Sequence, residues 1–507
     1  MKNYLLGIDI GTSSCKVSIS TISGEIAGQA QGDYGIFHPK PGWVEQDPNE
    51  WWRVLCDMIK KTLHKNNIDP GDIAGIGVDG QSWSAIPIDR KGNVLCNTPI
   101  WMDTRAHEIC GQIKREIDED EIFRLCGNPF QPSYTTPKIL WYKKYRPEIY
   151  KKTYKILQSN GFIVYKLTDQ ITMDTSQGYG LHCFDIRKCA IDPGMCGLLG
   201  IDQEMIPQVY PSHQIVGTVS TKAAAETGLR EGTPVAAGGL DAACGTLGAG
   251  VMHAGEAQEQ GGQAGGMSIC MEEIGMDKRL ILGAHVVPGK WLLQGGTVGG
   301  GGILKWFERE FCEYERNAAR EQGLSSMQIM DGEASKIHPG SDGVVFLPYM
   351  SGERSPIWNS NAKGVYYGLD YSKTRAHMIR ASMEGAAFSL RHNLDAAKEA
   401  GADVRVLHSV GGAAKSALWT QMKADIVQKE IAVASSDAAT SLGAIMLAGV
   451  GAGVYRDFEE AVSVNVHMKK RYVPSDETYS VYRKNYDLYM ELYQKLEETM
   501  NKQGETK

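Results

Sequence analysis

The sequence predicts a mixed α/β protein whose two related halves face each other across a cleft. Three observations lead there. Short β-type runs alternate with helical segments. A glycine-flanked hairpin opens each half of the chain. The 507 residues also exceed what one ordinary core holds.

Taken in order, 5–10, 17–22 and 25–29 are β-type runs, and Ser23-Gly24 is a turn pair. Val17, Ile19 and Thr21 alternate with polar neighbours, which marks a half-buried strand. A helix over 51–66 follows the start signals Asp47, Pro48 and Asn49. Residues 73–78 form a strand, and 85–89 with the turn Arg90-Lys91-Gly92-Asn93 open a hairpin. The prolines of 129–137 mark a loop, and 138–145 and 148–156 read as helices. Gly and Ala dominate 238–250, where a boundary divides the chain into domains 1–249 and 250–507. Beyond it the pattern recurs: strands over 267–271, 280–287 and 291–293, then a helix over 302–311. The last forty residues, rich in Tyr, Lys and Glu, read as a surface helix with a frayed tail.

Composition excludes several classes. Apolar residues make up 42% and charged residues 22%, as in globular proteins. The net charge of −7 is well mixed along the chain, so neither nucleic acid nor an anionic membrane is an expected partner. No apolar run reaches spanning length. The N-terminus reads as a strand, not a signal peptide, so the expected location is cytoplasmic. Eleven cysteines, scattered between Cys15 and Cys312 without a CxxC pair, read as reduced thiols packed as small hydrophobes.

Two acids stand out. In LLGIDIGTSS an apolar strand ends in Asp9, followed by Gly11, Thr12, Ser13 and Ser14. Such an end can hold hydrated Mg²⁺ and bring backbone N–H groups to phosphate oxygens, or it is an Asx-type turn. Ile10 after Asp9, with no second Asp-Thr/Ser-Gly loop, rejects an aspartic protease. In VAAGGLDAACGTLGAG, Asp241 is the sole ionisable side chain, which suits an N-cap, a general base or both. Glycine-rich loops lie at 261–266, 295–302 and 409–426. None fits a P-loop or a dinucleotide fingerprint. With the two acids they suggest a nucleotide held by backbone and helix ends.

GVYYGLDYSKTRAHMIRASME, residues 364–384, resembles the C-terminal signature of the FGGY carbohydrate kinases at Gly364, Tyr366, Gly368, Leu369, His377, Met378 and the run Ala381 to Glu384. DIGTSS, GGLDAACGTLGAG, LPYMSGERSPIW and GGAAKSALWTQMKADI resemble further blocks of that family. The resemblance implies two actin-like (ribonuclease H-like) domains with a central interdomain cleft and a hinge near Gly250. It implies an ATP-dependent sugar kinase with Mg²⁺, acting on small molecules, and it allows a homodimer. Asp241 would be the catalytic base and Asp9 the metal residue. Gly11, Thr12, Ser13, Gly262 and Gln263 would face the phosphates. Gly301, Lys305 and Gly412 would line the nucleotide cleft, with Ser416 near the adenine.

Within the family, PIWMDTRA and GQSWSAIPID are most similar to xylulokinases. That likeness puts Gln81, Ser82, Trp83 and Asp103, with Asp241, on the sugar. Ser82-Trp83 excludes the Arg-Glu pair of glycerol kinases. Trp83 replaces the usual His of xylulokinases, either as core packing or as a platform for a sugar face. Gln263-Ala264 replaces the Thr-Ser of the second phosphate loop. The alternatives are a kinase for another ketose or a polyol, and an actin-like ATP-binding sensor without transfer activity.

Overall fold

The computed structural model describes residues 2–436 and 438–505. Both halves contain the expected sheet. In the first, Tyr4–Ile10, Ser14–Thr21 and Ile26–Asp33 form an antiparallel meander. Ile73–Gly80 joins the free side of Tyr4–Ile10 in parallel. Pro234–Ala236 and Ile215–Thr218 extend the sheet beyond it. Helix Pro48–Lys65 covers one face, burying Trp51, Leu55 and Ile59, and the Asp47 side chain accepts from the Asn49 N–H at its start.

The second sheet runs Ile281–Ala284, Trp291–Thr297, Gly265–Met271, Glu256–Gly261, Val406–Val410, Glu430–Ala434 and Met468–Tyr472. Glu256–Gly261 pairs antiparallel with Gly265–Met271 and parallel with Val406–Val410. That is how Tyr4–Ile10 pairs with its two neighbours. The repeat is faint in the residues and explicit in the topology, because topology needs only alternation and turns to be preserved. The fold is the two-domain actin-like one.

One helix crosses the division at 249/250. Ala439–Gly451, from the second half of the chain, lies on the first sheet. A Cβ added at Gly7 would sit 2.6 Å from the Ser441 carbonyl, and one at Gly77 only 1.9 Å from that of Ala444. Glycine in the strands lets the helix backbone approach closely. The same helix lies against Asp241–Gly248, where a Cβ on Gly443 would come 2.0 Å from the Cys244 carbonyl.

Two element boundaries change. The stretch 148–156 holds only the short helix Pro147–Tyr150, followed by strand Lys155–Leu157. Thr153 Oγ1 donates back to the Ile149 carbonyl, 2.9 Å, where the helix stops. Ile86–Ile88 leads into the expected turn and closes the hairpin through the Ile88–Val94 bridge, and it also pairs with Lys155–Leu157, a long-range contact that local spacing cannot reveal. The loop over 129–137 ends early, since a helix begins at Thr135. The final helix Asp476–Glu505 is the expected surface helix, with most of its positions open and one face buried. Tyr482, Tyr486, Tyr489 and Tyr493, at helical spacing, bury one face in the second core. No cysteine is in a disulfide among the described residues, and all but Cys96 and Cys189 are buried. No helix of the described residues is long and apolar enough to cross a membrane.

Candidate active site

Three neighbouring strands deliver three carboxylates to one edge of the first sheet. Asp9 and Asp79 are direct partners in the parallel register of Tyr4–Ile10 and Ile73–Gly80. Gly239 and Leu240 pair with Asp79 and Gly80, so the chain turns into helix Asp241–Gly248 beside them. Leu240, not Asp241, is the N-cap. Asp241 is the first helical residue, and its Oδ1 accepts the Ala242 N–H at 2.6 Å. Burial, then the charge of Asp9, pushes the Asp241 carboxyl up to about 7. Asp9 is raised by burial and partly restored by Lys16. Asp79 is pushed well up by burial and by the charges of Asp9 and Asp241. Asp79 was not singled out from the sequence. Its signal was there, a strand ending in Asp-Gly, but that pair also reads as an ordinary turn.

The loop Gly11 to Ser13 is held from beneath. Tyr34 donates its hydroxyl to the Gly11 carbonyl. Gln46 Nε2 donates to the Thr12 carbonyl at 2.7 Å, and Trp101 Nε1 to Thr12 Oγ1 at 3.0 Å. Gln81 is fully buried and donates to Gln46 Oε1 at 2.7 Å, so its side chain reaches the loop only through Gln46. Ser13 is exposed, and Gly11 and Thr12 are half-buried.

Across the cleft, the Gly262-Gln263 turn joins two strands of the second sheet. Its carbonyls accept the first N–H groups of helix Gly301–Phe311: Gly301 to Gly262 at 2.8 Å and Gly302 to Gln263 at 3.0 Å. Turn and helix are therefore one unit, with the exposed Gln263 side chain lying over Gly302 at the helix start. A cavity of about 190 Å³ lies between the halves, lined by Asp241, Gln258, Gln260, Gly262, Gly411 and Thr440 among others. Gly301, Lys305, Gly412 and Ser416 do not line it. Lys305 is exposed one turn into its helix. Gly412 starts a 3₁₀ turn, and a Cβ there would meet nothing within 4 Å. Ser416 caps helix Ala417–Val427, its hydroxyl accepting the Trp419 N–H at 3.1 Å.

The wall of the first domain is aromatic. Trp83 has a left-handed backbone, φ 57°, unusual for a bulky residue. Its ring stacks on Tyr134 at 4.1 Å and tilts against Tyr179 at 5.5 Å, and only 9% of the residue is exposed. The indole is thus chiefly packed, although its Nε1 has no hydrogen-bond partner. Tyr179 donates to Ser82 Oγ at 2.7 Å. The buried Lys138 Nζ donates to the carbonyls of Trp83 and Ile100, 2.9 and 2.7 Å, and burial pulls its pKa down to about 7. Asp103 is fully buried and does not line the cavity between the halves. It accepts the Val44 N–H at 2.7 Å and a two-pronged bond from Arg105, at 2.9 and 2.7 Å. Arg105 also pairs with Glu45 at 2.8 Å. Tyr134, Tyr179 and Lys138 lie in segments that carried no local signal.

Mg²⁺ is bound chiefly through water and phosphate oxygens and needs only one or two carboxylates. Asp9 suits it, being half-buried at a strand end beside the loop. Among the described residues, no three His, Cys, Asp or Glu side chains could together hold a metal ion.

Two domains of one topology, closing on glycine turns and a raised carboxyl, define an actin-like phosphotransferase. Residues 4–248 match the N-terminal domain of the FGGY family of carbohydrate kinases, and residues 279–452 match its C-terminal domain. The chain belongs to that family and is a carbohydrate kinase that uses ATP. It is 30% identical to a xylulose kinase of Bacillus subtilis, over 97% of this chain and 96% of that one. It is 28% identical to a gluconokinase of Bacillus licheniformis, over 98% and 97%. The crystal structure of xylulose kinase from Rhodospirillum rubrum superposes with a TM-score of 0.90 at 25% identity, covering 98% and 100%.

Proposed function

We propose that the protein transfers the γ-phosphoryl group of Mg-ATP to a hydroxyl of a ketopentose such as xylulose. The observation that carries this is the placement of Asp241. It stands on the cavity between the halves, facing the Gly262 turn. Asp241 takes the proton of the attacking hydroxyl, and its raised pKa makes it a better acceptor than a free carboxylate near neutral pH. The loop Gly11 to Ser13 and the Gly262-Gln263 turn present backbone N–H groups and hydroxyls to the phosphates. Asp9 holds Mg²⁺ through water, and the ion supplies charge neutralisation on the phosphate oxygens. Gly301, Lys305, Gly412 and Ser416 belong to the nucleotide side, on the second domain. Gln81 acts as a support of the first loop, and Asp103 as a support of the segment carrying Trp101.

A second reading is a sugar-acid or polyol kinase. The gluconokinase relatives and the replacement of the xylulokinase His by Trp83 favour it. A coupled ADP-release assay over ketopentoses, ketohexoses, polyols and gluconate separates the two. D-Xylulose is expected to give the highest kcat/KM. Release with gluconate alone selects the second reading, and release with no acceptor in the panel counts against both.

A further inference from the structure

Asp79 is 0% exposed, its carboxyl lies against that of Asp9, and neither of its oxygens has any other hydrogen-bond partner. A buried carboxylate without donors is costly. Two other buried acids here are fully served. Asp103 has Arg105 and Val44, and Glu384 has Arg380, Ser341 and Gly340. Asp79 has instead two further carboxylates: Asp9 beside it in register and Asp241 just past the strand that pairs with it. Lys16, the cross-strand partner of Asp9, is the cation that acts on this group. The arrangement is electrostatically incomplete as it stands, at the edge where the nucleotide's metal arrives.

We propose that Asp79 is a further residue of the magnesium site, accepting hydrogen bonds from water in the coordination shell of the Mg²⁺ that ATP carries, alongside Asp9. This rests on the Mg-ATP reading above. Asp79 stands beside Asp9 in the strand register and acts through water. Its role is positioning: it fixes the metal, and through it the phosphates, relative to Asp241. Partners that orient a metal through its ligands or water are worth about 10–100-fold in affinity.

The test is Mn²⁺ binding to the enzyme–ADP complex, followed by the EPR signal of free Mn²⁺, with ADP affinity measured separately in EDTA. Asp79→Asn, which keeps the shape but cannot ionise when the metal arrives, should weaken Mn²⁺ binding about 10-fold or more and leave metal-free ADP affinity within about twofold. Asp79→Ala should behave alike. Unchanged Mn²⁺ affinity overturns the proposal, and so does an equal loss of ADP affinity with and without metal. Failure of both variants to fold would assign Asp79 to the fold instead. Asp9→Asn is the control. If it too leaves Mn²⁺ affinity unchanged, the metal reading itself fails. If it weakens Mn²⁺ binding while Asp79→Asn does not, only the role of Asp79 falls.

Discussion

At the scale of single residues, Asp241 is the proposed base, and its environment fixes the expected pH response. Asp241→Asn keeps the shape but cannot accept a proton, so sugar-dependent ADP release should fall about 10²–10⁴-fold with nucleotide binding retained. A near wild-type rate would reduce Asp241 to a helix-start residue. The base must be ionised, so activity should rise with pH along an acid limb. Without metal, Asp241 titrates at about 7. Nearby Mg²⁺ favours the ionised form. The limb should therefore lie below 7 at saturating Mg²⁺ and move up as Mg²⁺ becomes limiting; a limb insensitive to Mg²⁺ would contradict this. Trp83 is a different case. Its stacking on Tyr134 and small exposure favour packing over a sugar platform. Trp83→His should then lower stability more than it reorders the substrate panel. A clear shift of preference toward D-xylulose would return the indole to the sugar.

Among elements, those formed by local pattern were legible and those formed by long-range pairing were not. The strand ending in Asp9 and the small-residue run around Asp241 announce themselves, because one charge in an apolar or glycine-rich stretch has few uses. The aromatic wall could not be read. It needs residues 83, 134 and 179 in contact, and only the tertiary fold provides that. Asp103 was noticed through its motif, but motif membership does not tell a ligand from a brace. Both its oxygens are engaged by Arg105 and Val44. Removing one partner of such a buried pair costs about 3–5 kcal/mol. Asp103→Asn should therefore lower the melting temperature, with KM for the sugar little changed; a KM effect without destabilisation would place Asp103 on the substrate. The contact of helices Asp241–Gly248 and Ala439–Gly451 is equally exacting. Gly443→Ala puts a methyl 2.0 Å from the Cys244 carbonyl. Overpacking of this kind costs about 1–3 kcal/mol. A thermal melt equal to wild type would mean the helices separate freely.

Over the whole molecule, the two halves meet on one side of the cleft through a firm contact. The Asn128 side chain donates to the Leu282 carbonyl at 2.7 Å and accepts the Leu282 N–H at 3.0 Å. A kinase gains by closing such a cleft, because water otherwise competes as the acceptor. Sugar together with a non-hydrolysable ATP analogue should reduce the radius of gyration in X-ray scattering. No change would mean the cleft already has its working width. The helix Ala439–Gly451 has a further consequence, during synthesis. The first sheet emerges from the ribosome with its glycine-lined face bare, and the helix that covers it follows some 190 residues after Gly250. At about 5–20 residues per second that face waits roughly 10–40 s. The first half should therefore be a client of chaperones until translation is nearly complete. Expressed alone, residues 1–250 should aggregate, and co-expression with 251–507 should rescue them.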